Sequence, residues 1–172
     1  MLKVFSSLKE IDFTKLMDVY EESVRKNGEI FFPDEEFASQ IRLEQDRFYH
    51  YLSEVFFCVK NCFYAVWQEG DQYISALRIE PYQDGYLLSA LETAPCFRKH
   101  GYGKKLMIAV QHYLAQTGCP RIYSHISNRN IASIACHRSC GFNKIFDYAV
   151  YIDGTISRNA STYRYEQEKV PE

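Results

Sequence analysis

Apolar residues recur along this chain with two different periods, and the switches between them predict the order of its elements. Leu2 to Phe5 alternates with polar neighbours as a short strand does, and Phe13, Leu16, Tyr20 and Val24 then repeat at helical spacing as far as Asn27-Gly28. After Pro33, the acidic run Asp34, Glu35 and Glu36 precedes Phe37, Ile41, Phe48, Leu52 and Val55. This predicts a second amphipathic helix with its carboxylates at the favourable end. Three strands are expected over residues 56–67, 72–79 and 86–93, joined by short turns at Glu69-Gly70-Asp71 and at 81–85, so that they form an antiparallel meander. A further helix carries Leu106, Val110, Tyr113 and Leu114 on one side and stops at Gly118, with Pro120 just beyond. A strand over 121–126, a helix opening at Asn130 and a closing pair near 144–152 and 161–166 complete the chain, with Asp153-Gly154 as a tight-turn signal.

The predicted order β-α-α-β-β-β-α-β-α-β-β describes a mixed fold of the α/β kind. No internal repeat, low-complexity tract or linker interrupts the 172 residues, a length that suits one well-buried domain over 1–172. With 47% apolar residues, 16% aromatic residues and a formal charge of −2, the chain reads as a soluble globular domain, neither disordered nor generally attracted to nucleic acid. The opening segment MLKVFSSLKE is broken by Lys3, Lys9 and Glu10, and no apolar run approaches a membrane span, so a cytoplasmic protein without membrane contact is expected.

Six cysteines, at 58, 62, 96, 119, 136 and 140, include two pairs four residues apart but no C-x-x-C frame with a matching second pair. Free thiols in a reducing compartment are expected, and no metal site. Cys136, beside His137, reads as helix packing rather than as a nucleophile. His50, His100, His112 and His125 show no cluster spacing, and the sequon at Asn159-Ala160-Ser161 carries no meaning without a secretory signal.

Chemistry concentrates in residues 86–118, where an apolar strand, a turn, a glycine-rich loop and an amphipathic helix follow one another. Glycines at 101 and 103 let the backbone turn tightly ahead of unpaired helix N–H groups, an arrangement suited to a phosphate or pyrophosphate. A nucleotide-hydrolase loop would need Ser or Thr after Gly-Lys, but Gly103 is followed by Lys104 and Lys105. A dinucleotide fingerprint would need a third glycine where Leu106 stands, and an acid near 121–124 that is missing.

What remains, Arg98-Lys99-His100-Gly101-Tyr102-Gly103, resembles the coenzyme A pyrophosphate loop of the GNAT N-acetyltransferase superfamily: Arg or Gln, two residues, Gly, one residue, then Gly or Ala. A second segment, NIASIACHRSCGF over 130–142, is similar to the superfamily's later motif. There Asn130 opens a helix, Ser133 is the small residue three positions on, His137 takes the aromatic position, and Gly141-Phe142 closes it. By composition Asn130 is a good N-cap, and Ile131, Ile134 and Ala135 form an apolar stripe.

The resemblance implies a single mixed, mostly antiparallel sheet of about seven strands with helices on both faces. It also implies an acetyl-CoA-dependent N-acetyltransferase that moves an acetyl group directly to a primary amine, as a monomer or homodimer. The strand before the glycine loop would splay from its neighbour, with Leu91, Glu92 and Thr93 offering backbone contacts to the pantetheine arm. Residues Arg98 to Lys104, with Asn130, Ser133 and His137, would complete the acetyl-CoA site.

Acetyl transfer needs a neutral amine, donors for the oxyanion and a proton for the departing thiolate. Glu92, the one carboxylate in an apolar strand, is the candidate base; a solvated strand end or an ion pair with Arg98 is its structural alternative, and Glu80 its competitor. His137 stands where the family commonly has a proton-donating tyrosine, and either donates a proton or packs beside the pantetheine. The acceptor pocket implied by the family would draw on Phe31, Phe32, Tyr49, Tyr148, Tyr151 and Tyr163, while acids at 21, 22 and 34–36 would suit a cationic acceptor. The missing tyrosine also keeps open a non-catalytic acyl-CoA-binding or sensor module of the same fold.

Overall fold

A computed structural model describes residues 1–119 and 121–166. The chain runs β1 (Leu2–Phe5), α1 (Phe13–Val19), α2 (Glu21–Phe31), α3 (Phe37–Glu54), β2 (Phe63–Glu69), β3 (Gln72–Tyr82) and β4 (Gly85–Thr93). It continues through α4 (Tyr102–Gln116), β5 (Arg121–Ser127), α5 (Ile131–Ser139), β6 (Asn143–Phe146), β7 (Ala149–Val150), β8 (Ile156–Ser157) and β9 (Ala160–Glu166). Seven strands make one sheet in the order β1-β2-β3-β4-β5-β9-β6. Every pairing in it is antiparallel except that of β4 with β5. The expected mixed, mostly antiparallel sheet with helices on both faces is the architecture observed.

The alternation within each strand divides the core in two. On one face Leu77, Ile79, Leu88, Ile122 and Ile126 meet Leu106, Met107, Val110 and Leu114 of α4. Burial of four such side chains from a single helix is worth about 1.5–3 kcal/mol each, and it fixes α4 against the sheet. On the other face Tyr64, Val66, Tyr73 and Ala76 meet Leu16, Met17, Val19, Val24 and Leu52 of the first three helices.

Four expectations need correction. The helix predicted from Phe13 to Gly28 is two helices, broken at Tyr20, whose backbone leaves the helical region while its ring turns into the core. The strand predicted from 56 starts at Phe63, because Phe56–Cys58 forms a short 3-10 turn that seats Phe56 in the core. The long closing strand is also divided: β6 ends at Phe146, and the tight turn at Asp153-Gly154 belongs to a separate ribbon of β7 and β8. Ile131 does not join an apolar stripe either; it is 70% exposed at the start of α5. Pro120 lies outside the described residues.

Candidate active site

The site is formed where β4 and β5 part. They begin in close contact: a Cβ on Gly85 would lie 1.9 Å from the Arg121 carbonyl oxygen, so only glycine admits this approach. Pairing then extends over three rungs, Tyr86 with Ile122, Leu87 with Tyr123 and Leu88 with Ser124, and stops. Beyond Leu88 the strands diverge around a cleft of about 180 Å³, lined by Leu88 to Leu91 of β4, Ser124 to Ser127 of β5, and Asn130, Ser133 and His137. A larger groove of about 300 Å³ lies among α1, α2 and α3 and contains no residue of either motif.

A β-bulge shapes the β4 side. Arg78 pairs with Ser89 and Ala76 with Glu92, so Ala90 and Leu91 together oppose the single residue Leu77. Ala90 has φ +52°, a conformation unfavourable to alanine, and its carbonyl accepts a hydrogen bond from the Tyr20 hydroxyl at 2.7 Å. Tyr64 donates in turn to the Tyr20 hydroxyl at 2.8 Å. The break between α1 and α2 therefore brings a buried tyrosine to the bulge, which the helical spacing alone did not indicate.

Glu92 follows the bulge on the face covered by α2. It is half-buried, and burial pushes its carboxyl above the ordinary range, opposed by a short hydrogen bond from the Ser23 hydroxyl. Its partner is thus Ser23 rather than Arg98. Arg98 bonds instead to the Thr93 carbonyl at 3.1 Å and pairs closely with Glu22, tying the glycine loop to β4 and to α2. Hydrogen bonds from Lys26 and Arg98 hold the Glu22 carboxyl down at about 2. Glu80, the competing carboxylate, accepts from Ser89 at 2.8 Å.

The glycine loop turns at Lys99, with φ +64°, and at Gly101, with φ +79°, immediately before α4. Gly101 is needed for that backbone and not for packing, since nothing lies within 4 Å of where its Cβ would be. A Cβ on Gly103 would meet Thr93, Leu91 and Cys136 only at ordinary contact, 3.5–4.0 Å. No side chain caps the helix and no acidic residue enters its first turn, so its N–H groups and dipole face outward beside exposed Lys104 and His100. Tyr102 turns away, donating to Glu69 at 2.8 Å.

The β5 side is closed by α5. Asn130 caps that helix by accepting from the Ser133 N–H at 3.0 Å, and Gly141 and Phe142 end it by bonding back to the Arg138 and His137 carbonyls. His137 is 3% exposed. Its Nδ1 lies 2.8 Å from the Ser133 carbonyl, which can only accept, so Nδ1 carries the proton; Nε2 lies 3.0 Å from Ser124 Oγ, whose single hydroxyl proton has both Nε2 and the Leu88 carbonyl at 3.1 Å as acceptors. Burial lowers its proton affinity below that of an ordinary histidine, against the opposing bond to Ser133.

Of the predicted site residues, Leu91, Asn130, Ser133 and His137 line the cleft, whereas Glu92 and Thr93 follow Leu91 on β4 and the loop from Arg98 to Lys104 leads on into α4 without lining it. The predicted aromatic acceptor set is dispersed. Tyr163 is in the core and Phe31 lies under the Arg47 guanidinium, whereas Tyr151 meets His125, which lines the cleft, with ring centroids 5.4 Å apart. Sequence reasoning missed Tyr20, Ser23, Ser124 and Arg78, none of which carries a local motif. All six cysteines are free, and no cluster of metal-ligating side chains occurs among the described residues. Among those residues no helix is long and apolar enough to cross a membrane.

Residues 15–142 match the model of the acetyltransferase (GNAT) family. No curated protein matches the sequence. Among solved structures, an aminoglycoside 6'-acetyltransferase type Ii superposes with a TM-score of 0.65 at 13% identity, covering 99% of each chain. The PaiA N-acetyltransferase of Thermoplasma acidophilum, solved in complex with coenzyme A, gives 0.62 at 13% identity, covering 97% of this chain and 99% of that one. A ribosomal-protein-alanine N-acetyltransferase of Brucella melitensis gives 0.61 at 16% identity, covering 96% and 99%. At such identities the likeness shows the shared fold.

Proposed function

The chain belongs to the GNAT acetyltransferase family, and we propose that as one domain it transfers an acetyl group from acetyl-CoA directly to a primary amine. The observation that carries this reading is the parting of β4 and β5 at a bulge, next to an uncapped helix N-terminus. Together they offer unpaired backbone groups for an acyl-pantetheine arm and a pyrophosphate. In this reading the loop from Arg98 to Lys104 and the first turn of α4 receive the phosphates, mainly through backbone N–H groups. Arg98 holds the loop in shape rather than facing the anion. Asn130 and Ser133 border the arm. When bound, acetyl-CoA supplies the activated acyl group.

Glu92 acts as the base, removing a proton from the attacking amine. Its raised proton affinity suits that task, and Ser23 fixes one carboxylate oxygen. Ala90 and Leu91, unmatched in register on β3 and past the last rung with β5, place backbone donors where the oxyanion develops. His137 orients the Ser124 hydroxyl on the cleft wall. A buried neutral imidazole with both nitrogens engaged is poorly suited to delivering a proton to the thiolate.

The test is thiol release from acetyl-CoA across a panel of amines, joined to thermal shift with coenzyme A and with NAD. Acetyl-CoA turnover, with stabilisation by coenzyme A alone, is expected. Stabilisation without turnover on any amine would favour the acyl-CoA-binding module. A shift with NAD and none with coenzyme A would reject both.

A further inference from the structure

Three buried side-chain atoms among the described residues have no hydrogen-bond partner: Arg78 Nε and both ring nitrogens of His125. All three lie on one face of the sheet. Arg78 and Tyr82 alternate along β3 on the side away from α4, and the Tyr82 ring meets His125 edge-on with centroids 5.3 Å apart. This is the face onto which the cleft opens at Ser89, Ala90 and His125. His125 lines the cleft and Arg78 stands cross-strand from Ser89, which lines it too; buried polar groups are nearly always matched within a protein, so unmatched ones beside a cleft mark where a ligand's polar atoms belong.

Arg78 is the more telling of the two. Its guanidinium packs over the rings of Tyr51 and Phe56, at 5.1 and 5.9 Å from their centroids. It makes no ion pair or hydrogen bond with any described residue. Aromatic contacts offset only part of the cost of withdrawing a cation from water. The nearest acid along the face, Glu80, is bonded to Ser89. Arg78 sits opposite Ser89, while Glu92 sits opposite Ala76, two residues and therefore about 7 Å away along the strand. One face thus presents Glu92, then a planar cation, then Glu80. An acceptor whose amine approaches Glu92 would lay its other end on Arg78.

Resting on the acetyltransferase reading, we infer that the acceptor is an amine that also bears a carboxylate, a free amino acid, whose carboxylate binds the guanidinium of Arg78. A guanidinium edge receives a carboxylate through two parallel N–H donors, a geometry that lysine cannot reproduce. The structure therefore assigns substrate selection to a residue outside both motifs.

The experiment is calorimetry on the whole protein with coenzyme A present, using N-acetylglycine, N-acetylglycinamide and N-acetyldiglycine as product-like probes that need no turnover. N-acetylglycine should bind at least tenfold more tightly than the amide and more tightly than the longer peptide. R78Q should abolish the preference over the amide and R78K should weaken it, with coenzyme A affinity unchanged in both. Equal or undetectable binding of acid and amide to the wild type would overturn the proposal, as would a preference kept in R78Q. Tighter binding of N-acetyldiglycine would overturn the choice of a free amino acid. The wild-type comparison decides even where a variant fails to fold. Coenzyme A binding without acid–amide discrimination refutes this inference alone, whereas no coenzyme A binding refutes the reading beneath it.

Discussion

The two faces of the sheet treat their polar groups differently. Toward α4 and α5, Gln111 reaches the Cys140 carbonyl at 2.8 Å, and Ser124, Ser133 and His137 satisfy one another. Toward α1 to α3, Tyr20, Tyr64, Ser23 and Glu92 are matched as well, but Arg78 and His125 beside them are not. The first face offers a ligand mainly backbone, at a glycine loop, a helix terminus and a parted strand. The second offers charged side chains. A common donor read through backbone and a particular acceptor read through side chains would need this division.

Glu92 carries the largest expected effect. Glu92→Gln should lower kcat/KM for the amine by ~10²–10⁴-fold while leaving coenzyme A affinity nearly intact, because it removes a proton acceptor from one face only. The acidic limb of the wild-type profile should lie above the ordinary carboxyl range, since burial raises the proton affinity of Glu92. The same shift has a sign for stability: the folded state favours the protonated form, so this contribution is present at low pH and is lost as pH rises through the raised value. Glu92→Gln should therefore melt no lower than wild type at neutral pH, the difference closing in acid. A wild-type pH–rate profile in the variant would move the base to Glu80 or to water.

Gly103→Val tests the opposite face. Coenzyme A affinity should fall roughly a hundredfold, about 2.7 kcal/mol, because a branched side chain occupies the first turn where the phosphates approach. Gly103→Ala is the control for folding, since a Cβ alone meets neighbours only at ordinary contact, and it should melt close to the wild type. Calorimetry showing unchanged affinity would place the phosphates elsewhere.

His137→Phe sharpens the contrast between orienting and reacting groups. Removing both bonds of a buried imidazole should cost about 1–3 kcal/mol of stability, with kcat within a few-fold of wild type and His137→Tyr behaving alike. His137 holds a proton less tightly folded than unfolded, so its contribution is full above the ordinary histidine value of ~6.5 and declines as pH falls through its lowered folded value. The Phe variant should lose that part of the acid sensitivity in melting experiments. A kcat drop of ~10²-fold or more, recovered by Tyr, would restore the general acid. The smallest effect is expected from Arg98→Ala, which removes a partly exposed pair with Glu22 and a bond to the Thr93 carbonyl; high ionic strength should narrow its difference in melting from the wild type by the ion-pair part alone.

Features that depend on near neighbours along the chain can be read from its residues. Glycine spacing, the Asn130 cap and strand alternation act over a few residues, so the loop from Arg98 to Gly103, the helix after Asn130 and the mixed sheet were all legible. The tertiary structure decided which distant residues share a face. Tyr20 comes to the Ala90 carbonyl from 70 residues away, Ser23 comes to Glu92 from 69, and Ser124 meets His137 across two elements. No local period encodes the break at Tyr20 or the bulge at Ala90, because both are held by contacts made only once the sheet and helices are assembled. Arg78 is the clearest instance. In the sequence it is a polar residue within a largely apolar strand, and only the packing of Tyr51 and Phe56 around it, with Glu80 turned to Ser89 instead, makes it a cation in want of a partner.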